Sequence, residues 1–123
     1  KVAGVMGDLE ADAGKYPDYF LSWIAWSFFK NKNSEKAMKY YQVILDRNPD
    51  YIHARIGLAY CLASEKQTGR AFEILDKLLV SAPRDMEVMF ARAYAFEMSG
   101  DFGSAVREYD RILEIAPENQ TAR

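Results

Sequence analysis

Apolar residues recur along this chain at the spacing of an α-helix, in segments separated by short polar turns. The clearest segment is MEVMFARAYAFEMSG, residues 86–100. Its apolar positions at helical spacing are Val88, Met89, Ala93 and Phe96. Gly100 can adopt the left-handed backbone that ends a helix, so the pattern predicts a helix that stops there.

A second helix is predicted directly after the turn GDFGS. The segment SAVREYDRILEIAP, residues 104–117, has inward positions at Ala105, Tyr109, Ile112 and Leu113. Pro117 has no amide hydrogen to donate within a helix, so we expect the helix to end before it. The two segments together predict a helix–turn–helix unit.

The same unit recurs three times along the chain. Pro49, Pro83 and Pro117 stand 34 residues apart. Alignment on these prolines reveals two columns of alanine and three columns of large apolar residues. The columns are Ala25, Ala59 and Ala93; Ala37, Ala71 and Ala105; Phe28, Leu62 and Phe96; Tyr41, Leu75 and Tyr109; and Leu45, Leu79 and Leu113. Because helices approach to about 8–10 Å only where a crossing side chain is small, the alanine columns predict closely packed helices.

A 34-residue unit with small residues at its eighth and twentieth positions, a large one at its twenty-fourth and proline near its end resembles the tetratricopeptide repeat (TPR) family. The resemblance implies an all-α fold, a right-handed α-solenoid of antiparallel helix pairs. It implies repeat units at residues 18–51, 52–85 and 86–119. We expect residues 1–17 to form a partial or degenerate helix and a linker, and residues 120–123 to begin a truncated helix.

Some positions depart from the family pattern. Arg55 occupies a position where a large apolar residue is usual, and the turn of the second unit reads EKQTGRA. The first turn, KNKNSEKA, contains no glycine. We expect these departures to weaken individual helix ends and to leave the assignment unchanged.

Composition and charge restrict the possible partners. Half of the residues are hydrophobic and 28% are charged, which is typical of a globular domain. The net charge of −2 gives the chain no overall attraction to the negative phosphates of nucleic acid, so we do not expect a nucleic-acid partner. No run reaches the roughly 18 apolar residues of a membrane span. One cysteine cannot form an internal disulfide, so a cytoplasmic and a periplasmic location both stay open. The chain begins at Lys1 without methionine, and we expect it to be a fragment or a processed chain.

The sequence predicts a non-enzyme that holds no metal and no cofactor. His53 is the only histidine and has no second metal ligand at a compatible spacing. Cys61 falls at a packed helix position, where a free cysteine usually acts as a small hydrophobe. Arg92 enters the helix-packing layer, where its charge needs a partner. We expect Glu108 or Asp110 to pair with it rather than to act in acid–base catalysis.

The resemblance also implies a binding surface, because the first helices of TPR units line a concave groove. The positions that match the groove lining predict a partner-binding set of Tyr19, Trp23, Trp26, Phe29, His53, Ile56, Tyr60, Glu87, Phe90, Tyr94 and Glu97. An aromatic residue recurs in this set at 34-residue steps, as Trp26, Tyr60 and Tyr94. Aromatic rings supply flat, amphipathic contact area at low entropic cost. The alternative is that these rings pack against neighbouring helices or a terminal segment.

The stretch YFLSWIAWSFF, residues 19–29, is divided between core and groove. It contains six aromatic residues and no charged residue. The inward positions of a first TPR helix are matched here by Leu21, Ile24, Ala25 and Phe28. We expect Phe20 to reach back towards residues 1–14. The remaining rings are left for the groove.

The groove positions also exclude one class of ligand. TPR domains that clamp the C-terminal carboxylates of chaperones place Lys, Asn and Arg in this groove. The matching positions of this sequence are Ser22, Trp26, His53, Gly57 and Ala91. They contain no cationic clamp, so we do not expect that ligand class.

Three functional readings follow from the sequence. The first is a protein–protein interaction module that binds an extended or helical partner segment, with basic groups near Glu87 and Glu97. The second comes from a similarity to TPR regions of bacterial cell-envelope proteins, including exopolysaccharide-export systems. It implies binding of a polysaccharide or assembly of an export complex. The third is self-association through apolar solenoid ends.

Overall fold

The computed structural model describes residues 15–116 of the 123-residue chain. This part contains six α-helices and no strand: α1 Asp18–Lys30, α2 Ser34–Arg47, α3 Ile52–Ser64, α4 Thr68–Ser81, α5 Met86–Met98 and α6 Phe102–Ile115. Within it, no helix is both long and apolar enough to cross a bilayer. The predictions for residues 1–14 and 120–123 and the approach of Phe20 to residues 1–14 lie outside the described residues. Helix α6 ends at Ile115, before Pro117, as the sequence predicted.

The chain divides into two compact units, and the boundary falls within α3. Unit 1 extends to Leu58 and unit 2 begins at Ala59. Unit 1 therefore contains α1, α2 and the first half of α3. Unit 2 contains the second half of α3 together with α4, α5 and α6.

In unit 1, α1 packs against α2 through the inward face that the sequence predicted. Leu21, Ile24 and Ala25 are buried. Phe28 is half-buried, and its ring stacks on that of Tyr40 in α2 with centroids 5.7 Å apart. The apolar spacing of α1 therefore fixes which face of this helix joins the core.

Helices α2 and α3 approach each other closely at Gly57. A Cβ atom at this position would overlap the ring of Tyr41, which is itself buried in α2. Glycine is thus the residue that lets the backbone of α3 lie directly against the tyrosine ring.

Two arginines of unit 1 donate hydrogen bonds to backbone carbonyl oxygens near helix ends. Arg47, at the end of α2, pairs with Asp18 at 2.7 Å and donates a second hydrogen bond to the carbonyl oxygen of Tyr16. Arg55, which replaces a large apolar residue of the repeat pattern, donates from Nε to the carbonyl oxygen of Pro49 at 2.7 Å. Arg55, which departs from the repeat pattern, therefore contacts the loop that precedes α3.

In unit 2, α5 packs against both α4 and α6. The two helices predicted for the third repeat are present as α5 and α6. Their column alanines, Ala93 and Ala105, are buried, as close helix packing requires. The rings of Phe72 in α4 and Phe96 in α5 lie 4.8 Å apart and extend this core.

Both helices of that repeat begin with an aspartate cap. Asp85 accepts hydrogen bonds from the backbone amides of Glu87 and Val88 at the start of α5. Asp101 accepts from the backbone amide of Ser104 at 3.1 Å and from its hydroxyl at 2.7 Å at the start of α6. These bonds satisfy amides that lack a partner within the helix.

The three turns within the repeats place one residue each in the left-handed region. Lys32, Lys66 and Gly100 have φ values of 63°, 66° and 86° and stand 34 residues apart. The left-handed role predicted for Gly100 is therefore confirmed. The first two turns reach the same backbone conformation with lysine, at a cost of about 1–2 kcal/mol each.

Candidate functional site

One face of α1 carries four aromatic side chains, of which three are exposed and Phe29 is half-buried, and we call Tyr19, Trp23, Trp26 and Phe29 the α1 aromatic face. Tyr19 is 58% exposed, Trp23 68% and Trp26 38%. The rings of Tyr19 and Trp23 meet edge to face with centroids 5.9 Å apart. Those of Trp26 and Phe29 stack at 5.1 Å. The four side chains thus form two ring pairs along the helix.

The helical period explains why these rings are exposed. The buried residues of α1 lie on its other side, so positions 19, 23 and 26 follow one another along the remaining face. Lys30 continues that face by one turn, and its Nζ lies 5.8 Å from the centroid of the Trp26 ring. The α1 aromatic face therefore ends in a cation–π contact supplied by the helix itself.

The other two predicted binding residues of unit 1, His53 and Ile56, differ in their exposure to solvent. His53 is exposed, and its ring meets that of Tyr51 with centroids 6.0 Å apart. Ile56 is only 5% exposed, so its side chain offers little area to a partner. It contributes to the core instead.

Unit 2 brings together the remaining predicted residues around a group of tyrosines. The rings of Tyr60 in α3 and Tyr94 in α5 lie 5.2 Å apart at 48°. The hydroxyl of Tyr109 in α6 donates a hydrogen bond to Oε2 of Glu97 at 3.1 Å. Phe90 lies against Tyr109, with centroids 6.2 Å apart. We call Tyr60, Tyr94 and Tyr109 the tyrosine cluster.

Two hydroxyls of this cluster, those of Tyr60 and Tyr109, are held in the protonated form. Burial, followed by the charges of Tyr109, Glu87 and Tyr94, raises the pKa of Tyr60 to about 12. Burial, the hydrogen bond to Glu97 and the charge of that residue raise the pKa of Tyr109. At neutral pH Tyr60 and Tyr109 are therefore neutral hydrogen-bonding groups.

The sequence did not indicate two of the polar contacts in unit 2. Tyr109 belongs to a packing column of the repeat, yet its hydroxyl also holds Glu97. Asp76 pairs with Nε of Arg92 at 3.0 Å. Of the two carboxylates predicted for Arg92, Glu108 makes the contact at 3.1 Å, whereas Asp110 is exposed. The sequence does contain a signal for both contacts, because Asp76 stands 16 residues before Arg92 and Glu108 stands 16 residues after it.

In residues 15–116 the potential metal ligands are not clustered and the cysteine is buried. No group of three or more His, Cys, Asp or Glu side chains in this range could hold a metal ion. Cys61 is buried, and burial followed by the charge of Glu65 raises the pKa of its thiol to about 12. The thiolate is therefore disfavoured at neutral pH, which suits a packed cysteine.

The sequence profile of the tetratricopeptide repeat matches residues 28–95, which is more than half of the chain. The chain belongs to the tetratricopeptide repeat family. TPR proteins are typically non-catalytic, and the TPR fold generally serves as a scaffold for protein–protein interaction.

Two curated relatives share part of this TPR sequence. The uncharacterized protein y4yS of Sinorhizobium fredii is 32% identical over 76 residues, which are 62% of this chain and 42% of that protein. The RNA polymerase-associated protein CTR9 of Saccharomyces cerevisiae is 34% identical over 93 residues, which are 75% of this chain and 8% of that protein. The chain therefore spans less than half the length of either relative.

Two solved structures resemble the TPR chain in fold. YrrB, a TPR protein with an unusual peptide-binding site, superposes with a TM-score of 0.68 at 16% identity, covering 96% of this chain and 66% of YrrB. MamA AMB-1 superposes with a TM-score of 0.60 at 18% identity, covering 91% of this chain and 65% of MamA. These likenesses support the all-α helical-repeat solenoid class.

Proposed function

We propose that this TPR chain is a non-catalytic interaction module whose α1 aromatic face, in unit 1, and tyrosine cluster, in unit 2, each bind a segment of a partner protein. The observation that carries the proposal is the exposure of Trp23, at 68%, beside Tyr19, at 58%. Helix α1 contributes to the core through residues of its opposite face, so we expect folding not to require these rings. Exposed aromatic groups of this kind are typical of interaction surfaces.

The chemistry of the face suits a protein segment. Tryptophan and tyrosine rings bury large areas while losing little side-chain entropy. The spacing of Tyr19, Trp23 and Trp26 presents rings at successive helical turns, which suits apolar side chains placed along a partner segment. YrrB, which has a similar fold, contains a peptide-binding site. Peptide binding by this chain would be a similar use of the TPR fold.

The proposal is tested with a randomised peptide library selected against the full chain, followed by affinity measurements on the enriched peptides. Both tryptophans of the chain lie in α1, so intrinsic tryptophan fluorescence reports on this face alone. We expect Trp23→Ala or Trp26→Ala to weaken binding by roughly 2 kcal/mol or more. Phe102→Ala is the matched control, since Phe102 is 64% exposed on α6 and lies outside the proposed site. Unchanged affinity in both tryptophan variants would contradict the placement.

The same exposed ring supports a second candidate function. The flat face of Trp23 suits stacking on a sugar ring, as binding of a cell-envelope polysaccharide would require. Titration of the chain with purified bacterial exopolysaccharides, followed by tryptophan fluorescence, separates the two candidates. A saturable change that Trp23→Ala abolishes favours the polysaccharide. A flat titration alongside tight peptide binding favours the protein partner.

A further inference from the structure

We propose that Phe102, Val106 and Asp110 of α6 form a docking face for a partner helix that carries a basic residue four positions before a large apolar residue. We call these three residues the α6 face. The inference goes beyond the proposed function, because it uses neither the α1 aromatic face nor the tyrosine cluster.

The contact between α4 and α5 shows what a face of this kind binds. The ring of Phe72 in α4 lies 4.8 Å from that of Phe96 in α5. The carboxylate of Asp76, four residues after Phe72, pairs at 3.0 Å with Nε of Arg92, four residues before Phe96. An apolar residue followed by an acidic one on α4 therefore receives a basic residue followed by an apolar one on α5, as expected for antiparallel helices.

The α6 face repeats this surface of α4 one unit later in the chain. Val106 and Asp110 stand 34 residues after Phe72 and Asp76. Val106 is 57% exposed, Asp110 is exposed, and Phe102, one turn before Val106, is 64% exposed. Residues at four-residue steps lie along one row of a helix. Helix α6 thus presents two apolar groups and one carboxylate in the row that α4 uses to contact α5.

The carboxylate of this face has no partner within residues 15–116. Asp110 makes no hydrogen bond or ion pair in this part of the chain. Its neighbouring arginines bind other groups: Arg107 donates to the hydroxyl of Ser104 at 2.9 Å. Arg111 pairs with Glu108 at 3.0 Å. An exposed carboxylate on an apolar face favours a partner that brings a complementary cation and disfavours an acidic one.

The repeats indicate that the cation belongs on the helix that docks. In the first repeat this position holds Gln42, and the residue of α3 that corresponds to Arg92 is the apolar Leu58. In the second repeat the position holds Asp76, and the following first helix supplies Arg92. The third repeat again holds an aspartate, Asp110. We therefore assign Arg or Lys to the partner helix, with a large apolar residue four positions later.

The test titrates the isotope-labelled full chain with a synthetic copy of α5, residues 84–100, and maps binding by amide chemical shifts. A hydrocarbon staple in place of Phe90 and Tyr94 keeps the peptide helical and removes two rings that contact tyrosines of α3 and α6 in the chain. The peptide retains Arg92 and Phe96, the two residues that contact α4. We expect saturable shifts centred on the α6 face.

Charge reversal distinguishes the specific contact from nonspecific adhesion. We expect Asp110→Arg in the chain to weaken peptide binding about fivefold to tenfold. A peptide with Arg92→Glu should then bind the Asp110→Arg chain more tightly than it binds the wild type. Glu73→Arg is the matched control, because it makes the same charge change at an exposed position of α4. It should leave affinity within about twofold at moderate salt.

Two further variants test the apolar part of the contact and its location. We expect Val106→Ser to weaken binding about fivefold, because its exposed side chain would be buried by the partner helix. Trp23→Ala, which removes a ring of the α1 aromatic face, should leave affinity unchanged. Unchanged urea midpoints of the variants confirm that each one folds.

Each outcome supports or overturns the inference. Saturable shifts on α6 that respond to the charge swap support it. Absence of binding, binding that neither the charge swap nor Val106→Ser alters, or shifts showing that the peptide has displaced α5 overturn it. Self-association detected by light scattering and abolished by Asp110→Arg assigns the face to a second copy and also overturns it. Loss of binding in Trp23→Ala alone overturns this inference while supporting the proposed function.

Discussion

Arg92 and Glu108 form an ion pair between α5 and α6, with Nη1 of the arginine 3.1 Å from Oε1 of the carboxylate. Glu108 is only 3% exposed. Its Oε1 also accepts from Arg111 at 3.0 Å, whereas Oε2 is buried without a hydrogen-bond partner. The pair therefore neutralises a carboxylate that the core of unit 2 encloses.

Loss of Arg92 should consequently be costly. We expect Arg92→Met to lower the free energy of unfolding by about 2–4 kcal/mol, because Glu108 then keeps only the more exposed Arg111. Urea unfolding followed by circular dichroism measures this. The double variant Arg92→Met/Glu108→Met should recover most of the loss, since it leaves no buried charge. A double variant as unstable as Arg92→Met alone would show that packing, not charge, dominates.

The approach of α3 to Tyr41 makes a second prediction. Gly57→Ala should destabilise the chain by about 1–3 kcal/mol, because its methyl group would overlap the buried tyrosine ring. Gly69→Ala in α4 is the matched control, since nothing lies within 4 Å of the added Cβ. That control should be neutral or stabilise by up to about 1 kcal/mol, as alanine does in helices. Equal effects of the two substitutions would argue against the close approach.

A third prediction concerns Lys32, one of the two lysines whose backbone lies in the left-handed region. Lys32→Gly should stabilise the chain by about 0.5–1 kcal/mol, because relief of the strained φ exceeds the added entropy of the unfolded chain. Gly100→Ala should have the opposite sign, since it creates the same strain in the third repeat. Thermal and urea unfolding of both variants measure the two shifts. A destabilised Lys32→Gly would mean that the lysine side chain contributes more than its backbone conformation costs.

Much of the fold could be predicted from the sequence, because the repeat columns record helix packing directly. The alanine columns and the inward positions of α1 required no tertiary information, since a small residue or an apolar stripe has few other uses in a helix. A carboxylate partner of Arg92 on α6 followed from the need to neutralise a charge in the packing layer, whereas the choice of Glu108 over Asp110 required the structure.

The rest depended on information that a repeat pattern does not contain. Position within a repeat gives the direction of a side chain but not what covers it, so the pattern predicts Ile56 in the groove although it is buried. The absence of glycine predicts a weak first turn, whereas Lys32 adopts the left-handed conformation and Asn33 caps α2 by accepting from the amide of Lys36. The bond between Tyr109 and Glu97 depends on side-chain reach across two helices.

The cap of α6 makes stability depend on pH. Hydrogen bonds from the hydroxyl and backbone amide of Ser104, together with the charge of Arg107, hold the pKa of Asp101 below its usual value. The folded state therefore binds the proton less readily than the unfolded chain does. The contribution of Asp101 is fully present above the ordinary aspartate pKa and is lost as the pH falls through the lower folded value.

Asp101→Asn isolates this contribution, because asparagine also caps helices but carries no charge. The difference in stability between wild type and variant should be constant near neutrality and shrink between about pH 5 and pH 2. Urea unfolding across that range measures it. A difference that stays constant into acid would show that the charge of Asp101 does not contribute.

The α1 aromatic face should be dispensable for folding if its rings serve a partner. Trp23 is 68% exposed, and its ring meets that of Tyr19, which is also exposed. We expect Trp23→Ser to change the free energy of unfolding by less than about 0.5 kcal/mol, as surface substitutions usually do. Leu21→Ala, close by in α1 but fully buried, should cost about 2–5 kcal/mol. Urea unfolding followed by circular dichroism compares the two, and a large loss in Trp23→Ser would assign the ring to the core instead of to binding.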